Sequence, residues 1–410
     1  MQYDFNTEVD RQGTGSVKWE VIQSSEDPSK WIRTGAYFGE NRILPMWVAD
    51  MDFNCPEPVL RALENRVRHG IFGYTQPDDE YFDAVTGWMK RRHQWDIEKE
   101  WIVITHGVVP ALHMLVRSFV DPGKKVLVQR PVYYPFFSAI ERNGCQIADN
   151  SLALDNGQYR MDFDDLEQKT ADPDVQLAIL CNPHNPVGRV WSPDELRCFG
   201  EICFQNNVMV VSDEIHGDLV FPGNIFTPYA MLDEKLADNA VICTAPSKTF
   251  NLAGLQTSNI IIPNKKIREK FQHALQENGI FGINPFGMVA CRTAYNEGEE
   301  WLDQLKSYLH GNLVAMMDLF SREIPQIPVI KSEGMYLVWF DCRALGLDDG
   351  MLRDLMLKKA RVFLDEGYIF GAEGSGFERI NIACPRSVLM EALERIVAAI
   401  QPLSKEKLRV

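Results

Sequence analysis

The sequence lacks the features that mark several special classes of protein. No apolar run approaches the ~18–20 residues that a membrane-spanning helix needs, so we expect no membrane partner. The N-terminal stretch Met1–Asn6 is not a basic segment followed by an apolar one, so no secretory signal is predicted. Positive charge is in deficit, with 42 Lys and Arg against 57 Asp and Glu. The resulting net charge of −15 argues against a nucleic-acid partner.

Paired cysteines are also lacking. The nine cysteines are odd in number and scattered, and none forms a C-x-x-C pair, so neither a zinc site nor a redox dithiol is indicated. Cys181 and Cys243 lie in apolar runs, which predicts buried, reduced thiols. We therefore expect a cytoplasmic protein without a bound metal. The G-x-S-x-G, Walker A and G-x-G-x-x-G motifs are absent as well.

What is present is the composition of a globular protein, with 45% hydrophobic and 24% charged residues. The length of 410 residues is compatible with two or three domains. From about residue 56 to 262, short apolar runs alternate with amphipathic stretches. We predict strands at Trp101–Thr105, Lys125–Gln129, Val175–Cys181, Val208–Ser212, Ala240–Cys243 and Asn259–Ile262. We predict helices at Asp78–His93, Pro110–Phe119 and Pro193–Gln205, the last with a capping box of Ser192 and Glu195.

This alternation predicts an α/β fold whose sheet is mostly parallel, with ligands at the carboxyl ends of the strands. The pattern changes after about residue 300 to that of a smaller α+β unit. Its predicted elements are the helix Glu300–Phe320, the strand Met335–Asp341, the helix Gly350–Glu366, the strand Arg379–Ala383 and the helix Ser387–Ile400.

Three strings at predicted strand ends contain residues that could take part in binding or catalysis. They are Ala245–Gly254 with Lys248, Cys181–Gly188 with Asn185, and Ser212–His216 with Asp213. Each has an ordinary explanation when taken alone: a solvated lysine, a rigid Asn-Pro turn, or a carboxylate at a strand end. Together, a lysine, a carboxylate and an asparagine on successive strand ends suit an aldehyde cofactor with a protonatable ring nitrogen.

The three strings resemble those of the pyridoxal-phosphate enzymes of fold type I, the class I/II aminotransferase superfamily. Within it, they are most similar to the cystathionine β-lyase and cysteine-S-conjugate β-lyase (C–S lyase) branch. Four further strings match that branch in order along the chain: Pro45–Phe53, Gly73-Tyr74, Arg130–Phe136 and Arg379–Arg386. The resemblance implies a three-layer cofactor domain over residues 56–299, with residues 1–55 and 300–410 forming a small discontinuous α+β domain.

The resemblance also assigns roles around the ring of pyridoxal 5'-phosphate. Lys248 would hold the cofactor as a Schiff base and later remove the substrate α-proton. Asp213 would pair with the ring nitrogen and Asn185 with the phenolic oxygen. Tyr133 would stack on the ring face.

Further residues are implied at the phosphate. The string Thr105–Ala111 joins a strand to a helix, and its residues Gly107, Val108 and Val109 would cradle the phosphate near the helix N-terminus. Ser247 could add a hydroxyl group. Tyr74 matches a tyrosine that reaches the cofactor phosphate of the neighbouring subunit, which implies a homodimer with shared active sites and a part for Tyr74 in catalysis.

The substrate is implied to be a small amino acid. Arg379 matches the arginine that binds the substrate α-carboxylate through a bidentate fork. The resemblance places Ala49 and Asn185 at the substrate as well.

Three positions depart from the pattern of many aminotransferases. Ala245 replaces a phosphate-binding serine and Gln256 replaces an arginine, so phosphate binding would depend more on Ser247, Tyr74 and the backbone. His216 stands where a tyrosine is frequent. It either tunes the phenolic oxygen or merely caps the strand end, and the sequence leaves both roles open.

The same lysine can serve two reactions, transamination or β-elimination, and Lys248, Asp213 and Asn185 do not separate them. The string Trp47–Phe53, together with His184 and His216, resembles the lyase branch and favours elimination from S-substituted cysteines such as cystathionine. Two other classes are less compatible with the sequence. A metal-dependent hydrolase would use Asp213, Glu214, His216 and Asp218. These residues lie on one strand-to-loop segment, so their side chains would not all converge on one metal ion. A non-catalytic module of this fold would be expected to lose Lys248.

Overall fold

The computed structural model describes residues 2–23, 31–33 and 42–407. Within this part of the chain, no helix combines the length and hydropathy that a transmembrane segment requires. The chain divides into two compact units. The larger unit comprises Cys55–Gln304 and Glu333–Met335, and the smaller unit comprises Met1–Asn54, Leu305–Ser332 and Tyr336–Val410.

The N-terminal part of the smaller unit consists of short elements. They are the helix α1 (Val17–Glu20) and the strands β1 (Val21–Gln23), β2 (Trp31–Arg33) and β3 (Leu44–Pro45). Ser16 caps α1, because its hydroxyl accepts the backbone N–H of Trp19. Arg11 and the buried Lys18 both form ion pairs with Asp52, at 2.8 and 2.7 Å. These pairs hold the N-terminal segment within the smaller unit.

The larger unit is built around a seven-stranded sheet in the fully described range 55–304. The strands of this unit are β4 (Ile102–Thr105), β5 (Lys125–Val128), β6 (Gln146–Asp149), β7 (Ala153–Asp155), β8 (Gln158–Arg160), β9 (Val175–Cys181), β10 (Met209–Asp213), β11 (Ala240–Thr244) and β12 (Ser258–Ile261). The order in the main sheet is β4-β12-β11-β10-β9-β5-β6, and β7 pairs separately with β8. The run from β11 to β6 is parallel, whereas β12 is antiparallel to both of its neighbours.

Helices occupy most of the connections between these strands. They are α2 (Glu57–His69), α3 (Asp79–His93), α4 (Val108–Phe119), α5 (Pro135–Glu141), α6 (Phe163–Thr170), α7 (Pro193–Gln205), α8 (Glu234–Asp238), α9 (Pro246–Thr249), α10 (Lys265–Glu277) and α11 (Pro285–Glu297). The predicted capping box of α7 is present, with Ser192 and Glu195 bonded reciprocally to each other's backbone N–H groups.

The buried strands explain why the sheet is predictable from sequence. Every residue of β10, β11 and β12 is buried, and each strand contains a short apolar run: Met209–Val211, Ala240–Cys243 and Ile260-Ile261. All six predicted strands of this unit are present, with ends shifted by one residue at most. The predicted α/β class with a mostly parallel sheet and a smaller second unit is confirmed.

The C-terminal part of the smaller unit contains longer elements. They are the helix α12 (Glu299–Glu323, most of which belongs to this unit), β13 (Leu337–Asp341), α13 (Asp349–Asp354), β14 (Val362–Phe363), β15 (Asp365–Glu366), β16 (Phe377–Asn381) and α14 (Arg386–Lys407). Strand β16 pairs antiparallel with both β13 and β15. Strand β14 pairs parallel with β3, which joins the N-terminal part of the unit to its C-terminal part.

The predicted helix Gly350–Glu366 is wrong in its last six residues, from Arg361 onward. Helix α13 continues as π-helical turns over Leu355–Ala360 and stops at Arg361, which takes a left-handed conformation with φ 56°. Two short strands then follow. Buried apolar residues occur on both sides of Arg361, so the hydrophobic pattern continues through the break and hides it.

Candidate active site

The carboxyl ends of β9, β10 and β11 bring the three predicted strings to one edge of the sheet. These strands are parallel neighbours. Asp213, the last residue of β10, lies opposite Cys181 of β9 and Cys243 of β11. Asn185 lies on the loop that follows β9, and Lys248 lies in α9, directly after β11. The sequence prediction that these strings meet at the strand ends is confirmed.

Asp213 is a buried carboxyl group. Its Oδ1 accepts the backbone N–H of Ile215 at 3.2 Å. Burial raises the pKa of Asp213 to about 7, although the Ile215 amide and the positive charge of Lys248 oppose this shift. A carboxyl group with such a pKa is poised to share a proton with a cationic partner placed beside it.

Lys248 is half-buried in a short and tightly bonded turn. Helix α9 begins with Pro246 at its first position, where a missing N–H costs nothing. The backbone N–H of Phe250 donates to the carbonyl of Pro246 at 2.9 Å, and that of Leu252 donates to Ser247 at 3.0 Å. Ser247 is half-buried beside the lysine. The turn therefore presents Lys248 and Ser247 together.

The loop that carries Asn185 is fixed by its neighbour His184. Asn185 is buried, and its backbone N–H donates to Cys181 Sγ at 3.5 Å. His184 is fully buried, with Nε2 2.9 Å from the carbonyl oxygen of Pro131. Burial lowers the pKa of His184 to about 4, so the ring is neutral near neutral pH. His184 thus connects the Asn185 loop to the segment that carries Tyr133.

Tyr133 is half-buried at the start of α5. Its ring packs edge-on against Phe136, with centroids 5.7 Å apart, and contacts the hydrophobic core of the larger unit. The ring is therefore held from one side by packing. That Tyr133 stacks on a cofactor remains a prediction.

Helix α4 begins after a glycine whose backbone conformation is rarely open to other residues. Gly107 precedes the helix with φ 130°, a region that residues with a side chain rarely adopt. Val108 and Val109 supply the first backbone N–H groups of α4, and the first N–H groups of a helix have no acceptor within it. With the positive end of the helix dipole, they form a site that fits an anion.

The acidic residues after β10 point to different partners. Glu214 accepts the hydroxyl of Ser212 and the backbone N–H of Tyr229, both at 2.8 Å. Asp218 pairs with other side chains, and among the described residues no group of three His, Cys, Asp or Glu side chains could hold a metal ion. His216 is buried near Asp213, and its role stays open between the two predicted alternatives.

Tyr74 lies on an exposed stretch between α2 and α3. Its side chain is fully exposed within this chain, and more than half of the surface of Ile71 and of Phe72 is exposed as well. Phe72 packs against Phe286 of α11, with ring centroids 5.5 Å apart. This stretch is apolar and accessible, so it is available for contact with another chain.

In the smaller unit, Arg379 and Ala49 belong to one hydrogen-bonded group of segments. Arg379 lies on β16, and its Nη2 donates to the carbonyl of Trp47 at 2.9 Å. The hydroxyl of Tyr336 donates to the carbonyl of Ala49 at 3.0 Å. Asn381, two positions after Arg379, donates to the carbonyls of Val48 and Asp50. The segment 47–50 is therefore bonded directly to the strand that carries Arg379.

Sequence reasoning missed the partner of Arg379. The buried Asp365 of β15 accepts a hydrogen bond from Arg379 Nη2, and the ring of Phe370 lies 4.9 Å from the guanidinium carbon. Burial raises the pKa of Asp365, although Arg379 opposes the shift. Asp365 directly follows the apolar residues Val362–Leu364, and this position was the signal that could have revealed the pair.

Comparison with known proteins identifies the class. The family described as aminotransferase class I and II matches residues 43–396 of the chain. The chain belongs to this family.

Its similarities within the family are more specific. The chain is 47% identical over 397 residues to cystathionine beta-lyase PatB of Bacillus subtilis, covering 97% of this chain and 100% of that protein. Cystalysin from Treponema denticola, which contains pyridoxal 5'-phosphate, is 42% identical with a TM-score of 0.92, over 98% of this chain and 100% of that one. The pyridoxal-phosphate-bound C–S lyase from Staphylococcus hominis is 34% identical with a TM-score of 0.87, over 97% and 98% of the two chains.

Proposed function

We propose that this protein is a pyridoxal-phosphate-dependent carbon–sulfur lyase. It catalyses α,β-elimination on S-substituted cysteines, such as cystathionine, and with the uptake of one water molecule it releases a thiol, pyruvate and ammonia. One observation carries the proposal: Asn185, Asp213 and Lys248 stand at one edge of the sheet in a chain that is similar to PatB over nearly its whole length.

The larger unit fits the two ends of the cofactor. Asp213 is a buried carboxyl group with a pKa of about 7, which suits a protonated ring nitrogen as its partner. The N-terminus of α4 at Gly107, Val108 and Val109 suits a phosphate, and Ser247 can add a hydroxyl. Asn185 would donate to the phenolic oxygen, and Tyr133 would cover one face of the ring. These assignments would make the larger unit the cofactor-binding unit, in keeping with the cofactor domain predicted over residues 56–299.

When bound, pyridoxal phosphate supplies an electron sink for the carbanion that forms at the substrate α-carbon. Lys248 would hold the cofactor covalently, and its Nζ would accept the α-proton of the substrate. Asp213 would stabilise the positive charge on the ring nitrogen, which would strengthen the electron sink. The electron pair left at Cα would form the Cα–Cβ double bond as the Cβ–S bond breaks, and the leaving thiolate would take up a proton, for which the protonated Lys248 is a candidate donor.

Arg379 and the segment 47–50 are the proposed contacts of the substrate amino acid. The guanidinium would bind the α-carboxylate, and Ala49 would approach the amino-acid backbone. The contacts of Arg379 with Asp365, Trp47 and Phe370 keep its side chain in one orientation. A fixed guanidinium loses less conformational freedom when a carboxylate binds.

We further propose that the enzyme is a homodimer with shared active sites. Tyr74 would reach the phosphate bound by the partner subunit. The exposed apolar stretch Ile71–Tyr74 supports this, since large apolar side chains on a surface mark an interaction site.

All nine cysteines are free, which fits the reducing cytoplasm as the location of the enzyme.

The deciding experiment is incubation of the purified protein and pyridoxal phosphate with cystathionine, with and without an α-keto acid. Pyruvate and ammonia formed without the keto acid are the expected result. Strict dependence on the keto acid, with no pyruvate in its absence, would identify an aminotransferase instead. A protein that stays colourless after addition of pyridoxal phosphate would overturn the cofactor assignment.

A further inference from the structure

A buried carboxylate beside the proposed site is not used in the mechanism above. The Asp218 side chain is 9% exposed. Its Oδ2 accepts the hydroxyl of Thr249 at 2.7 Å, and its Oδ1 accepts the indole N–H of Trp88 at 3.1 Å. His93 Nε2 lies 2.9 Å from the same Oδ1. We refer to these four side chains as the Asp218 cluster.

The Asp218 cluster holds the residue that follows the cofactor lysine. Thr249 is fully buried and is the last residue of α9, directly after Lys248. A helix of four residues is not stable by itself. Its N-cap residue Ala245 makes no side-chain hydrogen bond to the helix. The Asp218–Thr249 hydrogen bond therefore provides a side-chain anchor at the C-terminal end of α9.

The same carboxylate is connected to the strand end that carries Asp213. The backbone N–H of Gly217 donates to the carbonyl of Glu214 at 2.9 Å, and that of Leu219 donates to His216 at 2.9 Å. These bonds fold the segment after Asp213 into a tight turn. Asp218 thus links two separate strand ends, that of β10 and that of β11.

The Asp218 cluster rests on a packed base. The fully buried Trp88 stacks on Tyr295, with ring centroids 5.1 Å apart, and packs edge-on against Phe250 at 5.4 Å. Phe250 is the residue after Thr249. Because such interiors are close-packed, a displacement of Thr249 cannot be absorbed without moving neighbouring groups.

The contacts of Asp218 also keep it ionised. Burial acts to raise the pKa of Asp218, but hydrogen bonds from His93 and Thr249 and the charges of His93 and Arg92 hold it below the ordinary value. An ionised acceptor forms a stronger hydrogen bond with the Thr249 hydroxyl than a neutral one would.

We propose that Asp218 is a positioning residue for the cofactor lysine: through the Thr249 hydroxyl, it fixes the backbone of Lys248 relative to the strand end that carries Asp213. The inference rests on the proposed function in that Lys248 and Asp213 hold the cofactor. A misplacement of about 1 Å at a reacting group can cost on the order of 100-fold in rate. The anchor therefore affects turnover although Asp218 does not touch the substrate.

The test compares Thr249→Val, which removes the hydroxyl at nearly constant volume, with Thr249→Ser, which keeps it. Thr170→Val is the matched control, because Thr170 is also buried and its hydroxyl also donates to a protein oxygen, the carbonyl of Leu166 at 2.9 Å. For each protein, kcat and KM for cystathionine, the pH midpoint of the visible cofactor absorbance and the melting temperature are measured.

For Thr249→Val we expect kcat to fall by about tenfold or more while KM stays within about twofold. The absorbance midpoint should move by about half a pH unit or more, because the lysine that holds the cofactor has shifted. Thr249→Ser should restore most of both quantities. Thr170→Val should lower only the melting temperature.

The outcomes separate this inference from the proposed function. If the wild-type protein is coloured and active, and Thr249→Val matches Thr170→Val in kcat and absorbance midpoint, the positioning role is wrong and the lyase assignment stands. A wild-type protein that binds no pyridoxal phosphate overturns both. If Thr249→Ser loses as much kcat as Thr249→Val, retention of the hydroxyl does not preserve turnover, and the role of the hydrogen bond is overturned.

Discussion

Asp213 and His184 illustrate how burial changes the chemistry of single side chains. Burial raises the pKa of Asp213 to about 7 and lowers that of His184 to about 4, and both shifts favour the neutral form. The consequences differ because the partners differ. A neutral His184 bonds the carbonyl of Pro131 and serves the structure. Asp213 lies at the strand end where the cofactor would place its cationic ring nitrogen, which makes this carboxyl group a functional candidate.

The raised pKa of Asp213 leads to a prediction about stability in the cofactor-free protein. In the unfolded chain this group ionises near its ordinary value of 3.8. The folded state therefore loses stability as the pH rises from about 4 to about 7, where the folded form ionises as well. Asp213→Asn does not titrate. We expect its melting temperature, relative to wild type, to rise over this interval and to stay constant above it.

The measurement is a pair of thermal melts at pH 4.5 and pH 8 for each protein without cofactor. Asp164→Asn, which replaces an exposed acidic residue of the same unit, is the control. A relative melting temperature of Asp213→Asn that is the same at both pH values would contradict the buried, raised state of this carboxyl group.

Helix α4 shows how an element creates a site that no side chain supplies. Its first N–H groups and its dipole favour an anion at the N-terminus. This geometry depends on Gly107, whose φ of 130° would strain any residue with a side chain. Gly107→Ala is expected to cost about 1–3 kcal/mol of stability and to weaken the binding of pyridoxal phosphate.

Gly123→Ala provides the matched control for this change. Gly123 also has a positive φ, of 83°, and a Cβ there would meet nothing within 4 Å. Its replacement by Ala therefore adds backbone strain at a position that is not part of the N-terminus of α4. Titration with pyridoxal phosphate should give a raised Kd for Gly107→Ala only. Equal affinities in the two variants would show that the N-terminus of α4 does not bind the phosphate.

At the scale of the whole molecule, the proposed dimer with shared active sites leads to a prediction for Tyr74, whose side chain is exposed in the single chain. If Tyr74 of one subunit binds the cofactor phosphate of the other, two variants with impaired activity can regain activity when they form a mixed dimer. Lys248→Ala removes the lysine, and Tyr74→Phe removes the phenolic hydroxyl. In a mixed dimer, one site then carries both changes and the other carries neither.

Mixing the two variants at equal amounts, under conditions that exchange subunits, should restore up to about a quarter of the wild-type activity per chain. This follows because about half of the dimers are mixed and each contains one intact site. Activity that remains at the sum of the separate variants, although exchange is shown by a mass tag, would place Tyr74 in the site of its own chain.

Local patterns in the amino-acid sequence determine much of this protein by themselves. The apolar runs of β9, β10 and β11 and the capping box of α7 identify the elements, because burial on both faces and local capping leave direct marks in sequence. Spacing then places Asn185, Asp213 and Lys248 at strand ends. The resemblance carried by these strings supplies the family, which the comparison with known proteins confirmed.

Only the tertiary structure decided which distant residues meet. The contact of Asp218 with Thr249, that of Asp365 with Arg379, and that of His184 with Pro131 join segments that no periodic pattern relates. The same holds for the break at Arg361, where buried residues on both sides conceal a change from helix to strand. Sequence patterns report burial and local geometry, whereas a partner across the fold is selected by packing and charge, which exist only once the chain has folded.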